Sequence, residues 1–259
     1  MSFLDSILDV GGSAWQGLTG PGVASGIARA GILAVMLREV TASINKDNQT
    51  PEQANSTTPD YGVREQVDPD TENAIPVVYG TTFIGGIVTD AQMVNDNQTM
   101  WYCLTICEKT GNLINGQPSQ IFIDEIYWNQ NKVTLRSDGI TATSIRDEDG
   151  VVSSDIDGLV KFYAFSGGSN SPINFTGYTN NSLTAASNLF PEWTSNHTMN
   201  DLVFVLVRVD YSKEKNITGL GNIEFKIRNT MSQPGDVLFD YMTNERYGAG
   251  IKAEEIRAG

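Results

Sequence analysis

The sequence predicts a mainly β protein of the α+β kind, and three observations predict it. Its polar weight rests on Asn, Thr, Ser and Gly, which favour turns and strands over helix interiors. Its apolar residues fall into short runs, one of which, Ile223-Glu224-Phe225-Lys226-Ile227-Arg228, alternates strictly with charged residues. Helical periodicity is confined to a segment near each end. The chain has 259 residues, enough for one large domain or two small ones with a core that needs no staples.

Residues 1–45 read as a helical segment. From Pro21 onward Gly22, Gly26, Ala30 and Ala34 recur at every fourth position, so on a helix they form one ridge of small side chains. Ile27, Leu33, Val35, Met36, Leu37 and Val40 cover much of the remaining surface. A helix that is apolar nearly all round expects burial on several sides. Two readings stand side by side, a helix buried in an assembly and a core helix of the same chain, with a membrane-surface helix as a third. Residues 46–73 are polar, carry Pro51 and Pro59 and show no periodicity, the signature of an extended linker.

Residues 74–259 read as a β-rich body. Ile75 to Gly80 is expected as a short strand whose Pro76 confines it to an edge. Thr81 to Thr89 follows, with Gly85-Gly86 marking a bend or bulge inside it. Met100 to Glu108 and Gln120 to Trp128 are further strands, the second entered through Gly111-Asn112 and Asn115-Gly116 turns. Gly158 to Phe165 and Leu202 to Tyr211 are continuous apolar runs and are expected to be buried on both faces. Inserted loops are expected at about 137–200, with acidic clusters at Asp147-Glu148-Asp149 and Asp155-Ile156-Asp157 and a short helix at Leu183 to Leu189. The last element is helical. Asp236 is placed to cap it, Val237, Leu238, Tyr241 and Met242 lie at helical spacing, and Leu238, Tyr241 and Met242 are expected to pack on the β body. Gly248 and Gly250 end it, with Gly248 expected at a sharp turn and Tyr247 largely buried.

Charge and composition exclude several chemistries. Lys plus Arg is 17 against 31 Asp plus Glu, a net charge of −14. A surface this acidic does not grip nucleic-acid phosphates, yet it suits a passage through which DNA slides without sticking. Cys103 and Cys107 are the only cysteines and His197 the only histidine, so one chain cannot build a four-ligand Cys/His zinc site. On a regular strand the two cysteines share a face about 13 Å apart, too far for a disulfide. They are expected as buried thiols. The acidic pairs break the spacing of a helix-loop-helix calcium loop. Asp124 and Glu125 are adjacent and point to opposite faces of a strand. No nucleophile elbow, phosphate-binding loop or dinucleotide fingerprint is present. The reading is therefore no enzyme and no cofactor. The apolar stretch Val23 to Val40 holds Arg29, Arg38 and Glu39, which argues against stable membrane insertion.

Two stretches carry a resemblance. One runs from Ile75-Pro76-Val77-Val78-Tyr79-Gly80 through Gly85-Gly86, Leu104 to Glu108, Ile114-Asn115-Gly116 and Ile121 to Asp124. The other is Gly235-Asp236-Val237-Leu238-Phe239-Asp240-Tyr241-Met242-Thr243-Asn244-Glu245-Arg246-Tyr247-Gly248-Ala249-Gly250-Ile251. Together they resemble the tail hub, or tip attachment, family of long-tailed bacteriophages, the group that includes the J protein of lambdoid phages. The second motif is the more specific. Met242 stands where the family commonly has leucine, and Cys107-Glu108-Lys109-Thr110 where it often has a Glu-Gly turn. Family members usually continue well beyond the Tyr-Gly motif, so the chain reads as a short hub or a fragment of a longer one.

The resemblance implies a tail-tube-like β-barrel or sandwich in a structural virion protein at the distal end of the tail tube. It implies a homotrimer that extends the DNA channel. The implied partners are a distal tail or tube protein, the C-terminus of the tape measure protein, receptor-binding or fibre proteins, and passing DNA without specific binding. The implied place is the phage tail tip, after synthesis in the host cytoplasm. Its motif positions here are Pro76, Tyr79, Gly80, Gly85, Gly116, Asp240, Tyr247, Gly248 and Gly250. The alternative reading is a receptor- or carbohydrate-binding β module, with Trp128, Trp193 and Tyr178 as stacking aromatics.

Overall fold

A computed structural model of the chain describes residues 74–257. The segment 1–45 with Gly22, Gly26, Ala30 and Ala34, and the linker 46–73, lie outside the described residues. The described part is mainly β, with two antiparallel sheets and two short helices. In chain order the strands are β1 Thr81–Gly85, β2 Ile87–Val94, β3 Thr99–Glu108, β4 Ile121–Trp128, β5 Asn131–Leu135, β6 Ala142–Arg146, β7 Val152–Ser153, β8 Val160–Ser166, β9 Pro172–Ile173, β10 Leu202–Asp210 and β11 Ile223–Asn229. The helices are α1 Pro234–Thr243 and α2 Ala253–Arg257.

One sheet has six strands in the order β1-β11-β4-β5-β6-β7, and the other five in the order β2-β3-β10-β8-β9. The chain passes from the first sheet to the second at Gly86, between β1 and β2. The Gly85-Gly86 pair is thus a corner between sheets rather than a bend within one strand. A Cβ on Gly86 would lie 2.8 Å from Leu104 Cβ, so only glycine lets the corner close on β3. Gly85 ends β1 opposite Glu224 of β11.

The two apolar runs fill the middle of the five-stranded sheet. On one face Trp101, Cys103, Phe165, Phe204 and Leu206 pack under Ala186, Phe190 and Trp193, which a loop with one 3-10 turn at Ala186–Asn188 supplies. On the other face Leu104, Phe162, Val205 and Val207 are fully buried as well. Both thiols are free and buried, and burial pushes each up to about 12. They do not share a face. Cys103 lies opposite Leu206, but a bulge at Ile106 brings Cys107 opposite Val203, an odd step along β10.

Three further expectations are corrected. Residues 75–80 form no ladder strand. Val77 makes a single parallel bridge to Glu108, and Gly80, at φ +67°, exchanges backbone hydrogen bonds with Met231 and Asn229. The stretch at 137–158 is not only loop, because β6 and β7 extend the six-stranded sheet through it. The acidic Asp147–Gly150 tip is their hairpin turn, with Asp147 Oδ1 accepting from the Val151 amide at 2.7 Å. Helix α1 is not capped by Asp236. Its first flanking residue is Gln233, which makes no side-chain cap, and Pro234 opens the helix.

Candidate functional site

Helix α1 turns Asp236 and Asp240 toward the body, with Val237, Phe239 and Met242 half-buried and Leu238 and Tyr241 exposed. Asp236 and Asp240, one turn apart, face a turn at 111–118 that Gly116 (φ +82°) and an Asn112–Pro118 bridge shape. Asp236 Oδ1 accepts from the Ile114 amide at 2.8 Å, and Asp240 Oδ1 from the Gly111 amide at 2.9 Å. Asp240 is the buried residue of the helix, whereas Leu238 and Tyr241 are 59% and 54% exposed. The expected packing of Leu238 and Tyr241 on the body is therefore overturned. The Gly111 amide and the Tyr79 hydroxyl are body donors at fixed positions to a carboxylate that would be costly to bury unpaired, and that requirement favours this helix rotation.

The other Asp240 oxygen joins the two motif stretches. Oδ2 accepts from the Tyr79 hydroxyl at 2.8 Å and from the Tyr247 hydroxyl at 2.8 Å. Tyr79 lies 161 positions before Asp240. Burial, and then the hydrogen bond to the carboxylate, push both tyrosines well above the ordinary value of 10.0. Tyr247 is half-buried rather than largely buried.

A second link runs beside the first. The Glu108 amide donates to the Pro76 carbonyl at 2.9 Å, and Glu108 Oε1 accepts from Arg246 at 2.8 Å. Glu108 Oε2 is buried with no hydrogen-bond partner. Beyond α1 the chain folds back on the helix end. Ala249 donates to the Tyr241 carbonyl at 2.8 Å, Gly250 to Asn244 at 3.1 Å and Ile251 to Met242 at 2.8 Å. The left-handed residue is Gly250 at φ +64°; Gly248 serves close approach instead, since a Cβ there would fall 2.0 Å from the Tyr241 carbonyl oxygen.

Between this fold-back and the body lies a polar cavity of about 340 Å³. Lys109, Gly111, Ser119 and Asp201 line it on one side and Arg246 and Tyr247 on the other. The structure thus gathers Pro76, Tyr79, Asp240, Tyr247, Gly248 and Gly250 into one region, while Gly85 stands apart at the sheet corner. Gly111, Glu108 and Arg246 were not singled out from the sequence. Gly111 had one signal, its turn with Asn112; its role comes from the Asp240 oxygen, which a Cβ at 111 would approach to 2.7 Å.

Other singled-out groups have structural partners. His197 stacks on Trp193 and its Nδ1 accepts from the Thr194 amide. Asp124 is held below the ordinary carboxylate range by its hydrogen bonds from Arg228 and Thr176, which outweigh burial. No group of three or more His, Cys, Asp or Glu side chains able to hold a metal occurs among the described residues. No helix among them is long and apolar enough to cross a membrane. Trp128 and Trp193 are buried and offer no open stacking face, whereas Tyr178 is half-buried, its hydroxyl accepting from the Leu135 amide.

The fold and the site define a two-sheet β protein whose helix α1 is fastened by a part-buried polar clasp around Asp240. No family model matches the chain, and no curated protein matches it in sequence.

The clasp predicts a response to alkali. A raised tyrosine value in the folded state means stability that is fully present below pH 10, the ordinary tyrosine value, and lost as pH rises through the alkaline range above it. Thermal melts followed with phenolate absorbance are expected to show this loss, and a Tyr79→Phe, Tyr247→Phe double variant to show less of it. Equal pH dependence in the two proteins would remove the clasp as its source.

Proposed function

We propose that the chain is a structural component of a bacteriophage tail tip, a hub that continues the tube lumen and docks other tail proteins. One observation carries this reading: Tyr79 and Tyr247, from the two motif stretches, share the same Asp240 oxygen. The stretches that resemble the hub family are thereby one structural unit. The two antiparallel sheets are in keeping with a tail-tube-like barrel or sandwich. The net charge of −14 is in keeping with a channel that DNA passes without stalling. In this reading the chain assembles as a trimer through the small-residue ridge at Gly22, Gly26, Ala30 and Ala34. It contacts a distal tail or tube protein, the end of the tape measure protein and receptor-binding or fibre proteins, and it resides in the virion. The carbohydrate-binding alternative loses its support with the burial of Trp128 and Trp193.

Two measurements test the proposal. Light scattering of the purified full chain is expected to give three times its 28.2 kDa mass. Gold-labelled antibody against the chain is expected to decorate the distal tail end of particles from the phage that encodes it. Label on the head would defeat the tail-tip reading, and none on intact or disrupted particles the virion reading; a stable monomer would defeat the ring.

A further inference from the structure

We infer that residues 234–251 form a strap that opens and closes over the polar cavity while the two sheets stay folded. The strap is itself one wall of the cavity, through Asn244, Arg246 and Tyr247, and the body supplies the other. Its attachments are polar: Asp240 to Tyr79 and Gly111, Asp236 to Ile114, and Arg246 to Glu108. Polar contacts exchange for water at small net cost, so they release more readily than buried apolar surface does. The apolar contact that opposes release is partial: Val237, Phe239 and Met242 are half-buried, Leu238 and Tyr241 face solvent, and Asp240 is the buried residue of α1. The Arg246 anchor is open on the strap side, where the arginine side chain is 51% exposed, and enclosed on the body side, where Glu108 is 10% exposed.

The contrast with the body is large. Strands β3 and β10 are buried along nearly their whole length and paired to neighbours on both sides. A hinge is available where the strap leaves the body. Met231 is buried and tied to Asn229, whereas Ser232 and Gln233, which follow, are exposed. Rotation there lifts α1, takes Asp240 from Tyr79 and Gly111, and removes one wall of the cavity, which is already open to solvent on its Asp201 and Arg246 side. Tyr79 and Glu108 remain with the body. The inference stands on these contacts alone and does not depend on the virion reading.

Hydrogen exchange by mass spectrometry on the full chain tests it. In the unmodified protein the amides of Asn244, Ala249 and Ile251 are expected to exchange at one common rate, about 100-fold faster than those of β10. Asp240→Asn is expected to speed the strap amides by about tenfold more and leave β10 unchanged. If that variant does not fold, Tyr79→Phe provides the same comparison with a smaller acceleration. Strap and β10 exchanging together in the unmodified protein, or a variant that accelerates both alike, would overturn the inference.

Discussion

Phe204→Ala is expected to lower the unfolding free energy of the β body by about 4 kcal/mol, within the range for truncating a core aromatic. Phe204 is fully buried at the middle of the five-stranded sheet, on β10 between β3 and β8. Its ring stacks on Phe165 with centroids 4.7 Å apart and lies 6.1 Å from Trp193. Truncation removes the transfer energy of the ring and leaves a cavity beside Phe165, which the pairing of β8 with β10 holds in place. Urea denaturation reads the effect as a lower midpoint at unchanged slope. Leu238→Ala is the paired control. The apolar spacing of α1 gives Leu238 a core position, but its exposure gives an effect within about 0.5 kcal/mol. A larger loss at Leu238 than at Phe204 would reverse the assignment of the core.

The same helix shows how far sequence reached and where it stopped. Existence and approximate bounds of α1 were legible, because Pro234 opens it and Val237, Leu238, Tyr241 and Met242 recur at helical spacing. Its rotation was not. Periodicity identifies an apolar row, but the row that faces inward depends on what the body offers, and here it offers the Gly111 and Ile114 amides to Asp240 and Asp236. The buried strands β8 and β10 were legible because a continuous apolar run has few other uses; β3 was legible as a strand, but its pattern reads as alternating and not as buried on both faces. Strands β5, β6 and β7 were missed because Asn131–Leu135 and Ala142–Arg146 are short and half polar, and β7 has only two residues. The bulge at Ile106, which separates the faces of the two thiols, leaves no local signature at all. The clasp was half legible: resemblance put Tyr79, Asp240 and Tyr247 on one set of motif positions, but only the fold brings residues so distant in sequence to a single oxygen.

Gly248→Ala is expected to detach the fold-back from helix α1, at a cost of roughly 3 kcal/mol to the closed strap. The added Cβ would lie 2.0 Å from the Tyr241 carbonyl oxygen and 2.8 Å from that of Asn244. Both neighbours are backbone: Tyr241 is inside the last turn of the helix, and Asn244, which flanks it, is tied by its amide to the Asp240 carbonyl, so neither moves aside freely. The chain at 248 must move instead. That movement costs the Ala249, Gly250 and Ile251 amides their carbonyl partners, each bond being worth about 1 kcal/mol. Tyr247, the adjoining residue, is drawn away from Asp240, leaving Tyr79 and Gly111 as the remaining donors to that carboxylate. The β body should keep its unfolding midpoint, because no residue of the five-stranded sheet touches Gly248 among its nearest contacts. Limited proteolysis separates the two levels: cleavage after Arg246 and Tyr247 should rise steeply in Gly248→Ala, while β10 stays protected. Gly250→Ala is a useful second variant, since it strains a left-handed residue at φ +64° without a close backbone neighbour, and a smaller increase in cleavage is expected. Equal cleavage of Gly248→Ala and the unmodified chain would mean that the strap accommodates a side chain at 248 and that its glycine is not what holds it closed.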